Sequence, residues 1–249
     1  MDIIRADRLT IGYGGEVVLR DLSFAVPAGL ITVVLGISGS GKSTLLKSLA
    51  GLLPPLGGRY EFSGAPVDYG SERSLQSLYS RIGVLYQGGA LLNGLSLYEN
   101  VALPVRMHYP EIPENMVRDM VHAGLAQVEL AGSADKYPAE LSGGMRKRGA
   151  LARALVLDPD IVFCDEPSSG LDPITSSLLD DLLIRLKETF GMTLVVVTHE
   201  LRSIERVADR VLVLNDGGLR FDGDAAALAA SDDGFIRTFF LRKGDHDDA

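Results

Sequence analysis

The sequence predicts an α/β fold with an antiparallel β layer at its front and a helical segment inserted into its core. Three observations carry that prediction. Short apolar runs, Ile31–Leu35, Ile161–Cys164, Leu194–Thr198 and Val211–Leu214, alternate with stretches of helical spacing. The first of these runs opens directly onto the glycine-rich segment Gly36-Ile37-Ser38-Gly39-Ser40-Gly41-Lys42-Ser43. The middle of the chain, from about Gln87 to Ala154, lacks strong β runs.

Taken in order, Ile3–Ile11 and Val17–Val26 are β-rich and are separated by Gly14-Gly15, which reads as an antiparallel layer ended by Pro27-Ala28-Gly29. Ile31–Leu35 is too short and too uniformly apolar for an amphipathic helix, so it reads as a buried strand. Apolar residues at helical spacing over Thr44–Leu52 predict the helix after the glycine-rich loop. Leu95–Val101, Glu114–Val128 and Arg146–Leu157 have helical character and form the inserted part. Strands return at Ile161–Cys164, Leu194–Thr198 and Val211–Leu214, with a helix over Ser176–Thr189 between the first two. The tail Gly244–Ala249 is polar and expected to fray.

The formal net charge of -9 over 249 residues speaks against a nucleic-acid binder, because an acidic surface repels a phosphate backbone. A single cysteine, Cys164, forms no internal disulfide and fits a reducing compartment. The start Met1-Asp2-Ile3-Ile4-Arg5 carries no signal-peptide pattern. Apolar runs are far below the ~20 residues of a spanning helix, so a soluble chain is expected, needing a partner for any work on a membrane.

Residues 36–43 match G-x-x-x-x-G-K-[ST] in the required strand-to-helix setting. Glycines let backbone N–H groups curl around an anion, and the helix N-terminus adds partial positive charge. Lys42 is placed to reach the β- and γ-phosphates and Ser43 to ligate Mg²⁺; Thr44 closes this set. By itself the loop fits a nucleotide kinase or a GTPase equally well. Ile161-Val162-Phe163-Cys164-Asp165-Glu166 ends a buried strand in two acids. Asp165 is positioned beside Mg²⁺ and Glu166 to polarise the attacking water as general base. A third segment, Leu141-Ser142-Gly143-Gly144-Met145, stands just ahead of a helix and aims small residues at phosphate by the same physics.

Leu141–Met145 resembles the LSGGQ signature of ABC (ATP-binding cassette) ATPases, and the order of motifs around it extends that resemblance over nearly the whole chain. It implies the ABC ATPase fold, a P-loop NTPase core with an antiparallel β layer and an inserted helical subdomain at about 87–154, as one domain over 1–243. It also implies ATP and Mg²⁺ as cofactors and a head-to-tail dimer with a second copy, in which Ser142, Gly143 and Gly144 face ATP held by the other subunit. Tyr13 resembles the aromatic that stacks on adenine, local strand packing being the competing account. Gln87 resembles the Q-loop glutamine that touches Mg²⁺ and water and senses the permease. Ser169-Gly170-Leu171-Asp172 resembles the D-loop, and His199 the switch histidine near the γ-phosphate. Met145 departs from the commoner glutamine. With LSGGMRKR, Ala90-Leu91-Leu92-Asn93 and Asp165–Pro173, it looks like the ATPases of Mla/Mce lipid transporters.

That narrower resemblance implies a peripheral subunit on the cytoplasmic face of the inner membrane. There it is held by an integral permease, with lipid-binding envelope subunits as further partners and no nucleic acid. The alternative is the ATPase of another ABC importer, for amino acids or lipoprotein release. A cassette acting on DNA or ribosomes, or a plain P-loop kinase, accounts for less: the first carries insertions or zinc modules not seen here, and the second leaves LSGGM and His199 unexplained. At the C-terminus, Phe235, Phe239 and Phe240 within Phe235–Lys243 are spaced for a helix that either packs on its own domain or reaches the neighbouring subunit.

Overall fold

The structure is a computed structural model that describes residues 1–237. Its elements run β1 (Asp2–Tyr13), β2 (Glu16–Pro27), β3 (Ile31–Leu35), α1 (Lys42–Leu49), β4 (Gly57–Phe62), β5 (Ala65–Pro66), α2 (Glu72–Tyr79) and β6 (Ile82–Leu85). The helical part follows as α3 (Leu97–His108), α4 (Glu114–Gln127) and α5 (Gly143–Leu155). The chain then returns to β7 (Ile161–Asp165), α6 (Pro173–Phe190), β8 (Thr193–Val197), α7 (Leu201–Val207), β9 (Arg210–Asn215), β10 (Gly218–Gly223) and α8 (Ala225–Ala229).

Two sheets result. The front sheet has the order β2-β1-β4-β5 and its registered pairs are antiparallel. The central sheet has the order β10-β9-β3-β8-β7-β6, parallel throughout except for the β9–β10 edge. Its strands read as unbroken apolar runs because both of their faces are covered. Alternation puts Val33, Leu35, Val162, Cys164, Leu194 and Val196 in one core with α3 to α6. Val34, Ile161, Phe163, Val195 and Val197 point the other way, into a core with α1 and the front sheet. Each fully buried side chain of this kind contributes roughly 1.5–3 kcal/mol.

The sequence-predicted strands 31–35, 161–164, 194–198 and 211–214 are all present, displaced by a residue or two at most. The helix expected over Arg146–Leu157 begins earlier, at Gly143, because Ser142 caps it and accepts from the Met145 amide at 3.3 Å. The helix expected over Leu95–Val101 begins two residues later, at Leu97, behind a Ser96–Glu99 capping box, and continues to His108. Sequence reasoning assigned nothing to β4, β5, α2, β6 and β10. Residues 234–237 are helical, with Ile236 buried and Phe235 packed against the core. The rest of the Phe235–Lys243 segment and the tail 244–249 lie outside the described residues.

Candidate active site

Because β3, β8, β7 and β6 are mutually parallel neighbours, their carboxyl ends share one edge, the place where open α/β sheets take their ligands. The glycine-rich loop leaves β3. Gln87 stands two residues beyond β6. Asp165 ends β7 with Glu166 next, and His199 follows β8 by two residues. The register Val34–Val197–Asp165 holds three of these strand ends level.

Loop geometry explains its glycines at two positions. A Cβ on Gly36 would fall 2.3 Å from Ser40 Oγ and 2.6 Å from the Leu214 carbonyl oxygen. Gly41 has φ +95 and serves as the N-cap of α1, where a Cβ would meet Leu19 at 2.8 Å. Helix α1, like α4 and α7, has no side-chain cap bond, whereas α2, α3, α5, α6 and α8 each receive one. Its first-turn amides are thereby left for an anion. Lys42 Nζ donates to the carbonyl oxygens of Gly36 at 2.8 Å and Ile37 at 3.0 Å, so its ammonium is held inside the loop's curl.

Ser43 Oγ donates to Asp165 Oδ1 at 3.3 Å. Burial raises the Asp165 pKa, with Ser43 and Lys42 opposing and Glu166 reinforcing the rise. Two hard oxygen donors side by side suit Mg²⁺, which keeps near-octahedral oxygen ligation and takes the rest from phosphate and water. Among the described residues no group of three or more His, Cys, Asp or Glu side chains gathers as a metal cage.

Glu166 takes a left-handed φ of +50 while its amide donates to the Val197 carbonyl at 2.8 Å. The turn brings its carboxylate to His199, whose Nδ1 lies 2.8 Å from Oε1 and 2.6 Å from Oε2. Gln87 Nε2 donates to Ser169 Oγ at 3.4 Å, linking the loop after β6 to the Ser169–Asp172 turn. A cleft of about 690 Å³ is lined by Val18, loop residues between Gly36 and Thr44, Gln87, Glu166 and His199.

The cleft does not gather every expected residue: Ser40 and Asp165 are not among its lining residues, Asp165 meeting it only through its bond with Ser43. Tyr13 stands 46% exposed at the end of β1, paired with Glu16 across the hairpin, and does not line it. Ser142, Gly143 and Gly144 open α5 away from it. Their compactness has a packing cause as well, since a Cβ on Gly144 would strike Thr175 at 2.5 Å and one on Gly143 would meet Leu171 at 3.2 Å. Sequence reasoning missed Val18, a cleft-lining residue of β2, and Lys147, whose buried ammonium donates to the carbonyl oxygens of Gln87 and Glu166. The consecutive apolar residues Val17-Val18-Leu19 gave no signal for Val18, and the charged run Arg146-Lys147-Arg148 gave none for Lys147.

Residues 19–169 match the ABC transporter family. A protein of Mycobacterium tuberculosis called probable ribonucleotide transport ATP-binding protein mkl is 41% identical over 236 residues, covering 95% of this chain and 66% of its own length. The chain thus spans just under two thirds of that relative. The intermembrane phospholipid transport system ATP-binding protein MlaF of Haemophilus influenzae is 39% identical over 246 residues, covering 99% of this chain and 92% of its own. Among solved structures, cbiO1 of Clostridium perfringens, part of the transporter complex cbiONQ, superposes with a TM-score of 0.85 at 30% identity, covering 97% of this chain and 95% of that one. The ATP-binding cassette MJ0796, a dimer in a post-hydrolysis state bound to ADP and Pi, superposes with a TM-score of 0.80 at 30% identity, covering 89% and 98%. On that family match over residues 19–169 and these identities, the chain belongs to the ABC transporter family.

Proposed function

We propose that this chain binds and hydrolyses ATP with Mg²⁺ and that hydrolysis drives a membrane permease carrying phospholipid. The observation that carries the ATPase reading is the cleft itself: an uncapped helix N-terminus, an enclosed lysine, a Ser43–Asp165 oxygen pair and a Glu166–His199 pair meet at one sheet edge.

In this reading Lys42 and the loop amides hold the β- and γ-phosphates. Ser43 and Asp165, with Gln87 near, hold Mg²⁺, which neutralises charge on the phosphate oxygens. Glu166 accepts the proton of the attacking water and His199 orients that carboxylate. Tyr13 stacks on adenine. Ser142, Gly143 and Gly144 face the nucleotide of a second copy, which accounts for their standing outside this chain's own cleft. Isothermal titration with Mg-ATP and a phosphate-release assay test the reading. Micromolar binding and release abolished by chelation support it; neither binding nor release rejects it.

Cargo is proposed from the likeness to MlaF, which aligns over 92% of its own length, together with Met145 in the fifth signature position. No described helix is long and apolar enough to cross a membrane. The proposed permease therefore supplies the spanning part and docks this subunit at the cytoplasmic face of the inner membrane. The name of the mycobacterial relative, which speaks of ribonucleotide transport, favours a second reading, transport of a soluble solute. Copurification from native membranes followed by liposome assays decides between them. ATPase stimulation by lipid donor or acceptor proteins supports lipid cargo, and stimulation only by a soluble substrate with its binding protein supports the second.

A further inference from the structure

Helix α5 begins at the Ser142 cap and carries three basic residues in its first two turns, Arg146, Lys147 and Arg148. Arg148 reaches Glu129 at the surface, and Arg146 folds back onto the Leu141 carbonyl at 2.9 Å. Lys147 does neither. It is 6% exposed, and its ammonium donates to the main-chain oxygens of Gln87 and, at 3.1 Å, Glu166. One cation therefore bridges three segments: the helix behind the LSGGM turn, the loop after β6, and the peptide that carries the proposed general base.

The surroundings make this a built contact. Arg153, two turns further along α5, donates to Ala90 at 2.7 Å and Gly89 at 3.0 Å, fastening the next part of the same loop. Asn100, fully buried on α3, exchanges bonds with Leu92 N, Leu92 O, Leu95 O and Ser96 O and fixes the loop's far end. The loop is thus tied along its length to helices α3 and α5. Lys147 alone among these three clamps also touches the β7 end. Burial holds its ammonium below the ordinary lysine range, with Glu166 and Asp165 opposing that shift. A buried cation is retained where its donors are satisfied and its loss leaves main-chain oxygens unpaired.

The geometry points to Lys147 as a positioning residue that couples this chain's two half-sites, holding the Gln87 loop and the Glu166 peptide at a fixed distance from the helix whose N-terminus serves the second copy's nucleotide. Seating α5 on that nucleotide then adjusts the carboxylate that takes the proton of the water attacking this chain's own ATP. Lys147 touches no substrate and moves no proton. The inference rests on the ATPase reading above.

The test compares full-length wild type with Lys147→Met, which keeps the stem and removes the donors, and Lys147→Arg, which restores donors. Arg153→Met is the comparison for a clamp on the same helix and loop that does not reach Glu166. Lys147→Met is expected to bind Mg-ATP within about twofold of wild type while kcat falls about ten- to a hundredfold, the range an ångström-scale misplacement costs. Its Hill coefficient should fall toward 1, and Lys147→Arg should recover most of kcat. Amide exchange, read without nucleotide, should rise at both 86–90 and 164–168 in Lys147→Met but only at the former in Arg153→Met. Two outcomes overturn the inference: kcat and exchange at 164–168 unchanged in Lys147→Met, or equal kcat losses in both methionine variants in proportion to their melting temperatures. Wild type that fails to hydrolyse ATP would instead overturn the ATPase reading, and the exchange data would still decide whether Lys147 holds the Glu166 peptide.

Discussion

Replacing Lys42 by Met isolates what one ammonium does in the phosphate loop. The side chain is 9% exposed, so methionine keeps the buried stem and the packing around it. What is lost is the charge and its donors, now engaged at 2.8 Å with Gly36 and 3.0 Å with Ile37. Two consequences follow and are separable. The two carbonyl oxygens lose a charged donor, which costs about 1–3 kcal/mol of stability and a melting temperature lower by several degrees. Nucleotide binding loses a charge-assisted contact worth roughly 1.5–3 kcal/mol, and at about 1.4 kcal/mol per tenfold this weakens Mg-ATP binding about 10- to 150-fold. Calorimetric titration well below both melting temperatures measures the second effect without the first. AMP gives the control, because it lacks the β- and γ-phosphates and its affinity should change little. Mg-ATP affinity within twofold of wild type, in a protein that still melts cooperatively, would refute the placement of phosphate beside Lys42.

Further predictions concern other residues. Ser142→Ala should cost about 1 kcal/mol of stability through the lost α5 cap and spare ATP binding by the isolated chain while impairing nucleotide-dependent dimer formation; dimerisation of wild-type strength would remove Ser142 from the interface. Gly41→Ala should destabilise by about 1–3 kcal/mol, since a non-glycine residue at φ +95 is strained and its Cβ meets Leu19 at 2.8 Å; an unchanged melting curve would contradict the loop geometry. Asp180 is buried against Ser203 Oγ at 2.7 Å, and burial raises its pKa. A raised carboxyl pKa means the folded state binds the proton more tightly, so this group's contribution to stability declines as pH rises from the ordinary aspartate value through the raised one. Asp180→Asn should remove that part of the slope in a denaturation series against pH, and a slope identical to wild type would show that Asp180 titrates normally.

The parts of the molecule legible in sequence are those where one local rule decides. Buried strands such as Ile161–Cys164 are apolar at every position because both faces are covered, and the phosphate loop is legible because each residue type in it answers a geometric need. Elements that depend on tertiary context were not legible. Strand β4 reads Gly-Gly-Arg-Tyr-Glu-Phe with only Tyr60 and Phe62 buried, so its place is set by pairing with β1. Helix α2 buries Leu78 alone, and β6 is four residues long. The start of α5 was hidden because two glycines argue against a helix, while the Ser142 cap and the closeness of Thr175 argue for glycine there. Lys147 was hidden most deeply: a lysine between two arginines reads as solvated, and only the fold brings two main-chain oxygens to it. Tyr13, singled out by resemblance, is exposed at the end of β1 and is not among the cleft's lining residues.

The central claim is that Glu166 is the general base of an ATP site completed by a second copy of the chain. Glu166→Gln keeps side-chain size and the neighbourhood of His199 while removing the proton acceptor, so phosphate and metal contacts persist and turnover does not. Sedimentation velocity of this variant with ATP and Mg²⁺, run beside a phosphate-release assay, tests both halves together. The account predicts a stable dimer that appears only with nucleotide and a release rate at least about a hundredfold below wild type. A variant that stays monomeric with ATP bound, or that releases phosphate at the wild-type rate, would contradict it.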